Sequence, residues 1–253
     1  MNDRTRVILV DDEAPARSLI REYLEAHPDI EVVAECENGF EAVKRCGELG
    51  PDLLFLDVQM PKLTGFEVLE LLSPPPPVIF CTAYDEYALR AFEAHAVDYL
   101  LKPVGRERLG QALDRFRLGR AAATPASGTG EARAAALAAA ARPAGQPLER
   151  LLVRDGASVQ VLPIDQIDYL EAQDDYVAIH VGNKSWLKTR TLAEIEAELP
   201  PGRFVRIHRS YVLNLDRLTR VELVARESRV AILKGGKELP VSRAGYGRLR
   251  ERL

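Results

Sequence analysis

The sequence predicts a two-part architecture: an α/β unit with a doubly wound five-stranded parallel sheet, then a mainly-β unit. Three observations carry this. Up to about residue 118, short apolar runs alternate with stretches of helical period, and βα units of that length force parallel strands covered by helices on both faces. From about Leu148 the runs are shorter and are separated by Asp155-Gly156, Gly182-Asn183 and Gly235-Gly236, which are hairpin signals. Between the two lies a stretch with Pro125, Ser127-Gly128-Thr129-Gly130, the alanine-rich Glu131 to Arg142, Pro143 and Pro147. Its alanine face buries little, so it reads as a linker with transient helix. The divisions are therefore 1–118, a linker over 119–147, and 148–253.

In the first unit, Arg6 to Val10 is the opening strand. Glu13-Ala14-Pro15 starts a helix, with proline in the first turn where a missing N–H costs little, and Leu19, Ile20, Tyr23 and Leu24 repeat at helical spacing. A strand from Ile30 to Ala34 and a helix from about Asn38 to Leu49 follow. Asp52 to Leu56 is mostly apolar, as for a strand buried on both faces. Met60-Pro61 and Gly65 mark a loop before a helix to Leu72, and Pro74 to Pro77 form a stiff connector. Val78 to Cys81 and Val97 to Leu101 are the last two strands, with helices over about 85–94 and 106–118.

The strand ends carry the chemistry. In open α/β sheets ligands bind at the C-terminal ends of the strands. The first strand ends in Asp11-Asp12, the third in Asp57, the fourth in Thr82, the fifth in Lys102-Pro103. Grouped carboxylates repel one another unless a cation joins them, and an all-oxygen donor set suits Mg²⁺. A carboxylate can accept a phosphoryl group, and a neighbouring lysine can neutralise the phosphoryl oxygens.

In their order and spacing, Asp11-Asp12, Asp57, Met60-Pro61 with Gly65, Thr82 and Lys102-Pro103 resemble the receiver domain of bacterial two-component response regulators, over residues 6 to about 118. The resemblance implies that Asp57 accepts the phosphoryl group. It implies that Asp12, Asp57 and the backbone carbonyl of Gln59 ligate Mg²⁺, with Asp11 helping through water. Lys102 would contact the phosphoryl group, Thr82 would be drawn to it, and Tyr99 would turn inward as Thr82 moves.

In the second unit, strands are expected at Arg150 to Arg154, Ser158 to Pro163, Ile167 to Glu171, Tyr176 to Val181, Lys184 to Thr189, Leu218 to Val224, Arg229 to Leu233 and Glu238 to Ser242. Phe204 to Leu213 reads as one strand bending near Arg209-Ser210. A helix runs from the capping Thr191 to Leu199, and Arg243 to Leu253 is amphipathic. His180 and His208 are the unit's histidines, and a structural role is expected for His208. The segments Ile167 to Ala172, Phe204 to Asn214 and Pro240 to Arg243 resemble the LytTR DNA-binding domain. That family implies that loops at strand ends enter DNA. By position the contacts are Tyr176 with Asp174 and Asp175, then Arg209 and Arg243, with Lys188 and Arg190 supporting phosphate binding; Asp174-Asp175 is acidic for such a role.

Composition is that of a globular protein, with 47% hydrophobic and 28% charged residues. The net charge of −4 is divided: residues 1–120 hold 14 Lys/Arg and 22 Asp/Glu, whereas residues 147–253 hold 18 and 15, a mildly basic balance that suits a polyanionic partner. No run of about 18 uncharged apolar residues suggests a membrane span, and the N-terminus lacks a signal-peptide pattern. Cys36, Cys46 and Cys81 lack Cys-x-x-Cys spacing and read as reduced buried thiols of a cytoplasmic protein. The expected function is a DNA-binding transcriptional response regulator, with a sensor histidine kinase and promoter DNA as partners, and a receiver-mediated homodimer. The rival reading is a receiver coupled to a protein-interaction output module without DNA binding. No enzyme is expected: a hydrolytic aspartyl-phosphate phosphatase needs Asp-x-Asp, and the adjacent Asp11-Asp12 point apart in an extended chain.

Overall fold

The computed structural model describes residues 4–83, 96–122, 148–156, 158–224 and 229–253. The chain divides into two compact units, Met1–Ala144 and Gly145–Leu253. The helix expected over 85–94, with Tyr84, Tyr87 and Phe92, lies outside the described residues, as does most of the expected linker.

The first unit runs β1 (Thr5–Val10), α1 (Ala14–Leu24), β2 (Ile30–Cys36), α2 (Gly39–Leu49), β3 (Leu53–Leu56), α3 (Gly65–Leu71), β4 (Val78–Thr82), β5 (Asp98–Leu101) and α4 (Arg106–Ala122). All pairings are parallel, in the order β2-β1-β3-β4-β5. Strand alternation splits the apolar residues between two faces. Val7, Leu9, Leu53, Phe55, Ile79 and Leu100 meet Ile20 and Leu24 of α1 and Leu109, Leu113 and Phe116 of α4. On the other face Phe66 of α3 lies against Phe80 of β4, ring centroids 4.7 Å apart. Asn38 caps α2 and Thr64 closes a capping box with Glu67 on α3, so side chains fix both helix starts. Helix α4 extends four residues beyond the expected 118; Arg120 holds that end, donating to Thr5 Oγ1 at 3.2 Å and lying 3.7 Å from Asp52. Burial pushes the Cys36 thiol up to about 12 and that of Cys81 also above its ordinary value, so both stay protonated.

The second unit holds β6 (Arg150–Asp155), β7 (Ser158–Pro163), β8 (Tyr169–Gln173), β9 (Tyr176–Val181), β10 (Lys184–Lys188), α5 (Leu192–Glu198), β11 (Phe204–His208), β12 (Tyr211–Asn214), β13 (Leu218–Leu223), β14 (Arg229–Leu233), β15 (Glu238–Val241) and α6 (Arg243–Arg250). A five-stranded antiparallel sheet, β10-β9-β8-β12-β11, is its centre. One face packs Leu170, Val177, Ile179 and Val212 against the β6–β7 hairpin and Ile195 of α5. The other packs Tyr169, Val205, Ile207 and Leu213 against β14, β15 and Leu249 of α6. Gly156, Gly182 and Gly236 take φ of +60°, +57° and +78°, which explains the three turn signals.

Instead of one bent strand, Phe204 to Leu213 is two strands folded back on each other, joined at Arg209-Ser210. The turn carries no glycine; it is closed by His208, whose Nδ1 accepts the Ser210 N–H at 3.2 Å.

Candidate functional site

In the first unit the parallel sheet brings the expected strand ends together. Oxygens of Asp11, Asp12 and Asp57 lie within 4.8 Å of one another, Asp11 and Asp57 buried and Asp12 exposed. Lys102 Nζ lies 2.8 Å from both Asp57 Oδ2 and Asp11 Oδ2, and 3.2 Å from Glu13 Oε2. Asp57 Oδ1 accepts the Gln59 N–H at 3.2 Å, and Asp11 Oδ1 that of Glu13 at 2.9 Å. Burial raises the Asp11 carboxyl above its ordinary value despite the Lys102 ammonium and the Glu13 N–H. Burial alone would lower Lys102, but the two carboxylates outweigh it and hold its pKa well above the usual lysine value. Thr82 is fully buried, and among the described residues its Oγ1 has no hydrogen-bond partner. An unsatisfied buried hydroxyl at the rim of a charged pocket calls for a reason. Tyr99, half-buried on β5, gives its N–H to Asp98 Oδ1 at 2.8 Å, and its carbonyl accepts from Arg108 at 3.0 Å.

The donor set fits a hard cation. It is all oxygen, its carboxylates crowd within reach of one ion, and the lysine answers part of their charge. Sequence reasoning missed Arg17. Its guanidinium is buried and donates to the Asp11 carbonyl at 2.6 Å, with Glu35 and Glu37 at 3.4 and 3.3 Å. A backbone carbonyl acceptor leaves no mark in the sequence.

In the second unit three candidate contacts share one end of the central sheet. Asp174 and Asp175 turn β8 into β9, followed by Tyr176, which is exposed. Asp174 has φ +45°, a left-handed conformation that Asp tolerates better than most residues, so backbone geometry accounts for an acid there. The neighbouring turn carries Arg209, and Ser210 of that turn accepts the Ala172 N–H at 2.9 Å, two residues before Asp174. The third element is the start of α6. Ser242 gives its N–H and its Oγ to the Ile207 carbonyl at 2.9 and 3.1 Å, and it caps the helix by accepting the Gly245 N–H at 3.0 Å. Arg243 is therefore the first helical residue rather than a loop residue, held beside the end of β11.

Lys188 and Arg190 stand elsewhere. Lys188 is buried, its Nζ donating to the Leu152 carbonyl at 2.8 Å on the β6–β7 hairpin. Arg190 is bound by both carboxylate oxygens of Glu198, at 3.0 and 2.6 Å. Both cations are engaged inside the fold, which removes them from the phosphate-binding role expected of them. His180 is a structural residue, stacked on Tyr169 with ring centroids 4.1 Å apart and 3.1 Å from Glu171 Oε2.

Residues 7–114 match the model of the response regulator receiver domain, and residues 157–253 that of the LytTr DNA-binding domain. Over 251 residues the chain is 36% identical to an uncharacterized response regulatory protein of Yersinia pestis, covering 98% of each. It is 34% identical to the transcriptional regulatory protein BtsR of Escherichia coli K12, covering 97% of this chain and 98% of that one. It is 31% identical to the sensory transduction protein LytT of Bacillus anthracis, covering 94% of each.

Proposed function

The chain belongs to the response regulators that join a receiver domain to a LytTR DNA-binding domain, and we propose that Asp57 is the phosphoacceptor that switches it. The protein is a DNA-binding transcriptional regulator, and a partner sensor histidine kinase is the phosphoryl donor. The observation that carries the assignment of Asp57 is Lys102, placed 2.8 Å from the oxygens of both Asp57 and Asp11. In the transfer, an Asp57 oxygen bonds to phosphorus as the phosphorus–nitrogen bond of the kinase phosphohistidine breaks, and the imidazole keeps the electron pair. Lys102 then follows the phosphoryl oxygens. Asp12, Asp57 and the Gln59 carbonyl would hold Mg²⁺, with Asp11 acting through water. When bound, it neutralises phosphoryl charge. Thr82, unpartnered among the described residues, gains an acceptor in the phosphoryl group, and Tyr99 turns into the space that Thr82 leaves.

The receiver then pairs with a second copy through the face containing β5, the edge strand of its sheet, where Leu101 is half exposed. Arg209 and Arg243 read promoter DNA, with the Asp174–Tyr176 turn beside them. Among the described residues no helix is long and apolar enough to cross a membrane. We place the protein in the cytoplasm with its promoter. The test is incubation with a small phosphoryl donor and Mg²⁺. The protein gains one acid-labile phosphate, EDTA stops the gain, and Asp57→Asn abolishes it. Equal-rate uptake by the variant refutes the assignment.

A further inference from the structure

The turn that carries Arg209 has no glycine, so something other than backbone freedom holds its shape. The structure supplies two side chains. Arg206, three residues before Arg209 on β11, turns its guanidinium back over the turn. Its Nη2 donates to the Arg209 carbonyl at 2.7 Å and its Nε to the His208 carbonyl at 3.4 Å. Its third nitrogen, Nη1, donates to Glu196 of α5 at 3.1 Å. All three nitrogens are thus engaged within the protein. From the other side His208 Nδ1 accepts the Ser210 N–H at 3.2 Å. The strand beneath is fixed as well: Arg248 of α6 donates to the Arg206 carbonyl at 2.9 Å, and Ser242 holds Ile207.

A long, flexible arginine reads a base well only if its backbone does not wander, because ordering a loose turn on binding costs affinity. Resting on the reading that Arg209 meets bases, we infer that Arg206 and His208 are positioning residues that pre-set the β11–β12 turn for sequence discrimination and do not themselves contact the duplex. A plain surface ion pair to Glu196 would explain one of the guanidinium's bonds and would contribute little. It would not explain why the other two end on the carbonyls of the turn.

The role makes a distinguishable demand. A loosened turn keeps its positive charge near the phosphates, so non-specific binding survives while discrimination falls. The experiment uses the full-length phosphorylated chain, a duplex selected from a random library, and a scrambled duplex. Arg206→Gln lowers affinity for the selected duplex about tenfold and leaves the scrambled duplex and the salt slope unchanged. Arg206→Lys, which keeps the charge but lacks the planar fork, loses most of the same discrimination. In an Arg209→Ala background Arg206→Gln has no further effect, because there is no reading side chain left to position. Equal loss on both duplexes overturns the inference and makes Arg206 a phosphate contact or a folding residue. Additive losses in the double variant overturn it too. If Arg209→Ala alone costs nothing on either duplex, the base-reading assignment fails first and the inference falls with it.

Discussion

Gly65→Ala joins the fold to the pocket in one methyl group. Gly65 opens α3 and donates its N–H to the Val58 carbonyl at 2.9 Å, one residue past Asp57. A Cβ built there would stand 2.3 Å from the Asp57 carbonyl oxygen and 3.1 Å from Leu56 Cγ, where ordinary contact begins at 3.4 Å. The neighbour below is backbone, which cannot swing aside, so α3 or the β3–α3 loop must shift by ~1 Å. Overpacking of this kind costs about 1–3 kcal/mol, and each kcal/mol lowers the unfolding midpoint of a unit near this size by roughly 4–8 °C. The same shift moves the Asp57 backbone against Lys102, and a ~1 Å misplacement of a reacting group can cost about 100-fold in rate. The assay is thermal unfolding of the full chain beside the rate of phosphate uptake from a small donor. In open space the substitution would stabilise, since alanine exceeds glycine in a helix by about 0.5–1 kcal/mol. A variant with a raised midpoint and an unchanged rate refutes the reasoning.

Further outcomes follow from the same geometry. Thr82→Val keeps the shape and removes a buried hydroxyl that has no partner among the described residues, so the unphosphorylated protein gains up to about 1–3 kcal/mol in denaturant unfolding. The phosphorylated variant fails to associate in sedimentation, and normal association there would remove Thr82 from the switch. Arg209→Ala and Arg243→Ala each weaken binding to a selected duplex by about 1–3 kcal/mol and to a scrambled duplex far less; equal loss on both marks backbone contacts. Asp98 is buried on β5, which alone would raise its carboxyl, but hydrogen bonds from Arg108 at 2.7 and 2.6 Å hold it below its ordinary 3.8. A depressed carboxyl contributes stability above pH ~3.8 that is lost as pH falls through its folded pKa. Asp98→Asn is therefore less stable at neutral pH and shows a shallower acid unfolding curve; a curve parallel to wild type would discount the pair.

The two sites differed in how far the sequence disclosed them. A parallel sheet sends all its strand ends to one edge, so Asp11, Asp57, Thr82 and Lys102 could be grouped from strand positions alone. Nothing comparable served the second unit. Lys188 looked like a surface cation, yet on β10 it is Leu187 that faces outward, 52% exposed, and the lysine that points in. Its acceptor is a carbonyl 36 residues away, which no side-chain pattern announces. Arg190 finds Glu198 across one short helix. The β11–β12 turn looks like a bend in the sequence because it lacks the glycine or asparagine of common hairpin turns; its closure depends on a histidine ring and a guanidinium meeting backbone.

The three partners of Lys102 also set how the pocket returns to rest. When a phosphoryl group occupies Asp57, Lys102 exchanges one carboxylate for phosphoryl oxygens while Asp11 and Glu13 remain within 2.8 and 3.2 Å of its resting place. On the proposal that Asp57 is the phosphoacceptor, loss of the phosphoryl group leaves these two carboxylates to draw the ammonium home. On that reading the pocket acts as a spring-return timer. On the same reading its interval depends on how readily water reaches Asp57, a residue that is 5% exposed. Opening that cover shortens the memory of a signal without altering how strongly the signal was written.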